Sequence, residues 1–474
     1  MDKMKICIIS EGSYPIVRGG VSEWTQQLIK GLPSLDFDIF CLAPTGQETW
    51  ISEYDKPPNV KGVTIHGVTQ SIPFKQRSLL PKVISQEMCN CVGGVLDGRV
   101  IDCERLVRLM EGAHPITKAW LGSREYWDYL VQYYDGNYAE SEFSEFFWTL
   151  NGIFSSFLDT MDLAKQLPKD DIYHPLTTGM AGVLGVLAKL MYRKPLVVSE
   201  HGLYLKERVF DLAKHDISLV VRQQTLAYYQ SLVKTCYEYA DFILPVCQDH
   251  ADQQIKLGAD AKKIRVIVNG VDSEKFKPSV KHNSHAPMVG CFARVVPIKD
   301  QLTLIQASKR ILEKHDADFI FAGEIQDAEY YHECQTLVEQ LGLGNNIKFI
   351  GHSDNMQDWY RQADIFVLSS KSEGVPLALL EAMSCGLPSV CTGVGGIPDI
   401  LRDNVTGYLV TPGDFQLMAT KISVLLEDKI LREKMGLKAR TTITENFTIE
   451  QMSQKILGIY REAHGKEKPT DGSS

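Results

Sequence analysis

The chain predicts an α/β protein: two doubly wound parallel sheets facing a cleft, with a helical insertion in the first domain. Three observations carry this. Short, wholly apolar runs alternate with helical patterns along most of the 474 residues, the signature of strands buried on both faces. The alternation comes in two sets, parted near residues 273–285 by a stretch with Pro278 and scattered Lys, Asn and Ser. Residues 71–166 break the rhythm with a long, aromatic-rich helical pattern. A chain of this length supports two domains with real cores.

Composition sets limits. A hydrophobic share of 44% and a charged share of 23% fit a soluble globular protein. The net charge of −9 excludes nucleic acid as the main partner. The 11 cysteines show no zinc-type spacing, since Cys89-Asn90-Cys91 is too tight. Cys7, Cys41, Cys291 and Cys391 sit in apolar runs, and a reducing compartment accounts for them. Met1-Asp2-Lys3-Met4 runs straight into a strand pattern, so no leader is expected. The apolar run 179–191 is broken by Lys189 and too short for a bilayer. The expected location is the cytoplasm, at most peripheral at the inner face of the cell membrane. Lys75-Gln76-Arg77-Ser78-Leu79-Leu80-Pro81-Lys82 reads as a solvated loop or as a membrane-surface or partner site.

In order, Lys5-Ile6-Cys7-Ile8-Ile9-Ser10 is a buried strand, followed by a loop with Gly12, Pro15, Gly19 and Gly20. A helix over 22–30 follows, with Ser22 as its cap and Glu23 in the first turn. Neither the dinucleotide nor the Walker glycine pattern occurs. Strands are expected at 38–42 and 63–67, then the insertion, whose aromatics (Trp120, Tyr126, Phe146, Trp148, Phe154 and others) read as its core rather than as sugar-stacking platforms. Strands resume at 171–174, 195–199, 241–246 and 264–268, with a helix over 180–191 and a helical stretch up to 239. The second set runs 288–293, 318–321, 347–350, 364–368, 389–391 and 408–410. The domains are thus 1–272 and 273–446, with a last helix near 447–464 packing back on the first and a polar, disordered tail over 465–474.

Ligands of doubly wound sheets lie outside the carboxyl ends of the strands. The richest such loop is Ser372-Glu373-Gly374-Val375-Pro376-Leu377-Ala378-Leu379-Leu380-Glu381, between an apolar strand and an apolar helix. Pro376 suits the first helical turn, and Gly386 stops the helix. Free N–H groups of Gly374, Val375, Leu377 and Ala378 at the helix start form an anion cradle. Glu373 and Glu381 should stand roughly 10–13 Å apart, too far for a glycosidase pair but the span of a nucleoside diphosphate sugar. The plainer alternative is a buried strand–loop–helix junction with Glu381 solvated. Other loops at strand ends hold Gly19-Gly20, His201-Gly202, Asn269-Gly270-Val271-Asp272, Arg294 with Lys299, and Gly351-His352.

This set, His201-Gly202, the Asn-Gly-Val-Asp linker, Arg294-x4-Lys299 and Glu373-x7-Glu381 in that order along the chain, resembles the retaining nucleotide-sugar-dependent glycosyltransferases of family GT4, which have the two-domain GT-B fold. The opening Glu11-Gly12-Ser13-Tyr14-Pro15, with Arg18-Gly19-Gly20-Val21-Ser22-Glu23-Trp24 and the aromatic insertion, is similar to the PelF group of bacterial Pel exopolysaccharide systems. The resemblance implies a UDP-sugar donor, UDP-glucose or a UDP-N-acetylhexosamine, a polysaccharide acceptor, inner-membrane synthase proteins as partners, and neither cofactor nor metal. Arg294 and Lys299 would face the diphosphate, Glu373 the donor sugar, Glu381 the ribose, and Gly374, Val375, Pro376 and Leu377 the sugar and phosphate. His201 would lie near the sugar's C6 end, its alternative being a satisfied buried histidine. Gly19 and Gly20 would approach the diphosphate, and Gly351 and His352 the base. Asp36-Phe37-Asp38 matches the metal motif of another glycosyltransferase fold but enters a strand, so it reads as structural. Two positions depart from the family, which has glycine where Ala293 and Asp300 stand; Asp300 would weaken the field of Lys299 or cap the next helix. A nucleotide-binding assembly subunit with little or no transferase activity is the rival reading.

Overall fold

A computed structural model describes residues 3–44, 51–68, 80–111, 116–279 and 286–465. Most of the basic stretch (75–79), the linker residues 280–285 and the tail from 466 onward lie outside the described residues. The chain divides into two compact units, one of Met1–Pro245, Ala251–Val266 and Gln454–Ser474, the other of Val246–His250 and Ile267–Ser453.

The first unit holds β1 (Lys5–Glu11), β2 (Asp36–Pro44), β3 (Val60–Val68), β4 (Ile172–Pro175), β5 (Val197–Glu200) and β6 (Phe242–Pro245). All pairings are parallel, in the order β3-β2-β1-β4 and β5-β6. A bridge from Tyr173 to Leu196 continues β4 toward β5, giving the doubly wound order 3-2-1-4-5-6. Two sequence expectations need correction. Residues 264–268 form no strand: Ile264 makes one bridge to Ile243, and the chain passes to the second unit at Ile267. The first helix is Gly20–Gly31 with Gly19 as N-cap and no side-chain cap, so Ser22 is buried inside the first turn rather than capping it.

The described part of the insertion is helical, with Lys82–Asp97, Cys103–Met110, Ile116–Leu121, Arg124–Asn137 and Phe143–Ala164. Trp120, Tyr126, Phe146, Phe154 and Phe157 are fully buried in one core with Cys7 and Ile9 of β1 and the helix Met180–Tyr192. Trp120 meets Tyr126 at 4.7 Å and Phe154 edge-on at 5.4 Å. Trp127 and Trp148 are exposed, at 45% and 65%. From the last helix, Ile449–Gly465, Tyr460 reaches Nδ1 of His174 at 2.6 Å, while His174 Nε2 meets Ser199 Oγ at 2.7 Å. Burial lowers the His174 pKa to about 3, so the ring is neutral.

The second unit holds β7 (Met288–Phe292), β8 (Asp318–Ala322), β9 (Ile347–Gly351), β10 (Ile365–Leu368), β11 (Ser389–Thr392) and β12 (Gly407–Val410). They form one parallel sheet in the order β12-β11-β10-β7-β8-β9, which is 3-2-1-4-5-6 again. Leu304, Ile305, Met418 and Ile422 pack in one core of this unit, and Leu379, Leu380, Ile397 and Ile400 in another. Both units share a device at the strand starts. Asp171, just before β4, accepts the Lys5 N–H at 3.0 Å, and Asp364, just before β10, accepts the Met288 N–H at 2.9 Å. Asp241, before β6, takes the Leu196 N–H at 2.8 Å.

Asp36 and Asp38 both lie in β2, Asp36 with Lys61 at 3.3 Å. Asp38 neighbours the buried Asp170, whose carboxyl is pushed up to about 7 by burial first and by Asp38 second. All eleven cysteines are buried and free. Among the described residues no helix is long and apolar enough to cross a membrane.

Candidate functional site

In the second unit the strand order reverses between β7 and β10, the point where a doubly wound sheet leaves a crevice at its carboxyl edge. The loop after β7 supplies Arg294 and Lys299; the loop after β10 supplies Glu373 to Leu377, and the helix Leu377–Ser384 carries Glu381. Lys299 and Glu373 are in direct contact: Nζ lies 2.6 Å from Oε1, with the side chains 15% and 8% exposed. Ser370 donates to the same oxygen at 2.5 Å. Arg294 is exposed, and its Nη1 donates to Gln326 Oε1 at 2.6 Å while its carbonyl takes Gln301 Nε2–H at 2.8 Å. Deeper in the helix, Glu381 Oε2 accepts the hydroxyl of the buried Tyr360 at 2.7 Å.

Backbone geometry holds this edge in shape. Pro376 is the N-cap of Leu377–Ser384, one place earlier than the sequence suggested. The N–H groups of Leu377 and Ala378 have no acceptor inside the helix, as for any first turn. Behind the loop, Gly395 (φ +54°) presses so close that a Cβ there would sit 1.8 Å from the Glu373 carbonyl oxygen, and the Gly396 N–H donates to Gly374 O at 2.8 Å. Asp300 explains one departure from the family pattern. It has φ +51°, the left-handed region that favours glycine and that Asp tolerates. It stands at the N-cap of Gln301–Leu312 without a side-chain cap; its carboxylate accepts from Thr303 Oγ1 at 2.7 Å and lies 3.5 Å from Lys371 Nζ.

Gly351 ends β9, its carbonyl taking the Gly323 N–H at 2.8 Å, and His352 beside it is exposed, with Nε2 3.3 Å from Asp354. The fold thus brings Arg294, Lys299, Glu373–Leu377, Glu381, Gly351 and His352 to the carboxyl ends of strands in one sheet.

Gly19, Gly20 and His201 belong to the first unit. Gly19 and Gly20 are exposed at the start of their helix. His201 follows β5, half-buried, its ring 4.3 Å from that of the buried Trp24. It lines a cavity of about 490 Å³ with Glu11, Ser13, Tyr204, Glu207 and Arg208, by the loops after β1 and β5. Burial raises the carboxyl pKa of Glu11, against the Ala181 N–H that donates to it at 3.2 Å and the charge of Arg208. Burial raises that of Glu207 too.

Sequence reading missed Tyr360, Ser370 and Gln326, each bonded to a side chain of the second-unit set, and the acids of the first-unit cavity. Ser370 stands three residues before Glu373 and was open to notice; Tyr360 is 21 residues from Glu381 and gave no local signal.

Residues 4–262 match the family described as domain of unknown function DUF3492, and residues 272–442 that of glycosyl transferases group 1. The chain is 28% identical over 244 residues to N-acetyl-alpha-D-glucosaminyl L-malate synthase of Bacillus anthracis, a match spanning 48% of this chain and 62% of that one. It is 28% identical over 331 residues to UDP-Gal:alpha-D-GlcNAc-diphosphoundecaprenol alpha-1,3-galactosyltransferase of Escherichia coli, spanning 63% and 78%. Among solved structures, HepE of Anabaena in complex with UDP superposes with TM-score 0.65 at 18% identity over 97% of this chain and 100% of that one. Sucrose-phosphate synthase of Thermosynechococcus elongatus gives 0.66 at 17% over 98% and 100%. The fold is that of these GT-B proteins.

Proposed function

This chain belongs to the glycosyltransferases of group 1, its first part to the DUF3492 family, and on that premise we propose that it moves a hexose or N-acetylhexosamine from a UDP-sugar to a growing exopolysaccharide. The transfer retains the configuration at C1, takes place in the cytoplasm, and serves a Pel-like system whose membrane proteins are the partners. The observation that carries the reading is the meeting of Lys299 and Glu373, with Arg294 on the same loop as Lys299, where the strand order reverses. The E. coli relative is named for a UDP-sugar donor, and HepE was crystallised with UDP.

The chemistry follows from charge. Cleaving the bond from C1 to the diphosphate oxygen leaves negative charge on the leaving group. Arg294 offers a planar pair of donors and Lys299 a compact charge, and the start of the helix Leu377–Ser384 adds its dipole. Fixed groups aimed at growing charge stabilise the transition state more than the ground state. We assign neutralisation of the diphosphate to these groups rather than to a divalent ion. Glu373 takes the sugar hydroxyls and Glu381 the ribose. The acceptor oxygen bonds to C1 on the face the diphosphate leaves, and its proton passes to the departing phosphate oxygen, so no protein base is required.

The test is thermal shift against UDP, GDP, ADP and their sugars, with UDP release measured with and without acceptor and chelator. Equal shifts in wild type, Arg294→Ala and Glu381→Ala would remove the site. Turnover abolished by a chelator and restored by magnesium or manganese would overturn the metal-free account. Binding without turnover would favour the assembly-subunit reading.

A further inference from the structure

Glu373 and Glu381 are each held by a buried hydroxyl on one carboxylate oxygen. Ser370, fully buried, donates to Glu373 Oε1, the oxygen that also meets Lys299. Tyr360, 1% exposed, donates to Glu381 Oε2. The Tyr360 ring is fixed edge-on against Phe292 at 4.7 Å and Phe276 at 5.6 Å. A hydroxyl so enclosed has little freedom to turn elsewhere, and a carboxylate gripped through one oxygen presents the other in a set direction.

We infer that Tyr360 and Ser370 are positioning residues for donor recognition: Tyr360 aims Glu381 at the ribose hydroxyls and sets the preference for ribose over deoxyribose, and Ser370 aims Glu373 at the sugar. The inference rests on the UDP-sugar reading above. Neither hydroxyl touches the donor; each acts through its glutamate. Tyr360 therefore governs the nucleoside end and Ser370 the sugar end, and the two effects separate in measurement. The ring packing of Tyr360 is kept by Tyr360→Phe, which removes only the donated hydrogen bond.

The experiment titrates UDP and 2′-deoxy-UDP by calorimetry into wild type and Tyr360→Phe, and compares KM for the UDP-sugar with the affinity for UDP in Ser370→Ala and Ser370→Thr. Wild type should prefer UDP to 2′-deoxy-UDP. Tyr360→Phe should bind UDP about tenfold more weakly, the worth of one hydrogen bond to a charged group, with 2′-deoxy-UDP affinity unchanged. Ser370→Ala should raise KM for the UDP-sugar about tenfold while UDP binds as before, and Ser370→Thr should restore it. Equal losses for both nucleotides in Tyr360→Phe, or for UDP and UDP-sugar in Ser370→Ala, would mark a general structural role and overturn the inference. So would retained ribose preference in Tyr360→Phe. A wild type that binds no UDP brings down the donor reading and this inference with it, whereas intact UDP binding with insensitive variants brings down this inference alone.

Discussion

The two units have the same strand order, 3-2-1-4-5-6, yet carry different charged residues at their carboxyl edges. In the second, Arg294 and Lys299 follow β7, Lys299 meeting Glu373 on the neighbouring loop and Arg294 bonding Gln326. In the first, the cavity by β1 and β5 is lined by Glu11 and Glu207, with Arg208 as the cation among them. The strand order says where a ligand goes; the loop residues say which ligand. Two cations beside a helix start suit a diphosphate, and a cavity lined by more acids than cations suits hydroxyls or a cation.

The sharpest way to break that contrast is to remove charge from one edge at a time. Arg294→Ala should lower kcat by about 10²–10³-fold, the cost of losing one preorganised donor at a site of growing charge, with little change in melting temperature because the residue is exposed. Glu207→Gln, in the first-unit cavity, should leave UDP affinity within about twofold. UDP release and calorimetry read both, and a loss of UDP binding in Glu207→Gln would dissolve the distinction.

A second contrast is the helical insertion, found among the described residues in the first unit alone. Trp120→Ala should destabilise that unit by about 3–5 kcal/mol, as for a large aromatic removed from a packed core, whereas the 65%-exposed Trp148 should tolerate alanine within about 0.5 kcal/mol. Denaturant unfolding measures both; similar costs would contradict the division into core and surface.

The smallest expected effect concerns pH. Asp170 titrates near 7 in the folded unit against an ordinary carboxyl when unfolded. Between those values the folded state holds the extra proton, so this group's contribution falls as pH rises toward 7. Asp170→Asn should therefore raise the melting temperature at pH 8 by a few degrees, the shift expected for about 1 kcal/mol, and flatten the profile between roughly pH 4 and 7. His174 acts in the other direction: its lowered pKa makes stability fall as pH drops below about 6.5. An Asp170→Asn protein less stable at pH 8 would show that the carboxylate is needed there.

Much of this was legible in the sequence, for physical reasons. Strands buried on both faces are written as apolar runs, so β1 and β7 to β12 could be placed within a residue or two. Where a run fails to become a strand, as at 264–268, the cause is tertiary: the chain leaves one unit for the other. The helix start at Gly20 rather than Ser22 was hidden because Gly19 caps it without a side chain. Residues at strand ends were open to reading because ligands gather there; side chains that reach them from distant helices, as Tyr360 does, leave no trace in local spacing. Asp300 looked like an altered glycine, and its positive φ gives the reason.

The paired aspartates at the amino ends of the sheets have an effect at the opposite rim. An N–H claimed by a neighbouring carboxylate, as Lys5 is by Asp171 and Met288 by Asp364, cannot slide by one residue without leaving that carboxylate behind and turning every side chain to the wrong face. The alignment of β7 with β10 is thereby pinned far from the loops that bear Lys299 and Glu373, and the meeting of those two groups is decided by an anchor at the other end of the strands.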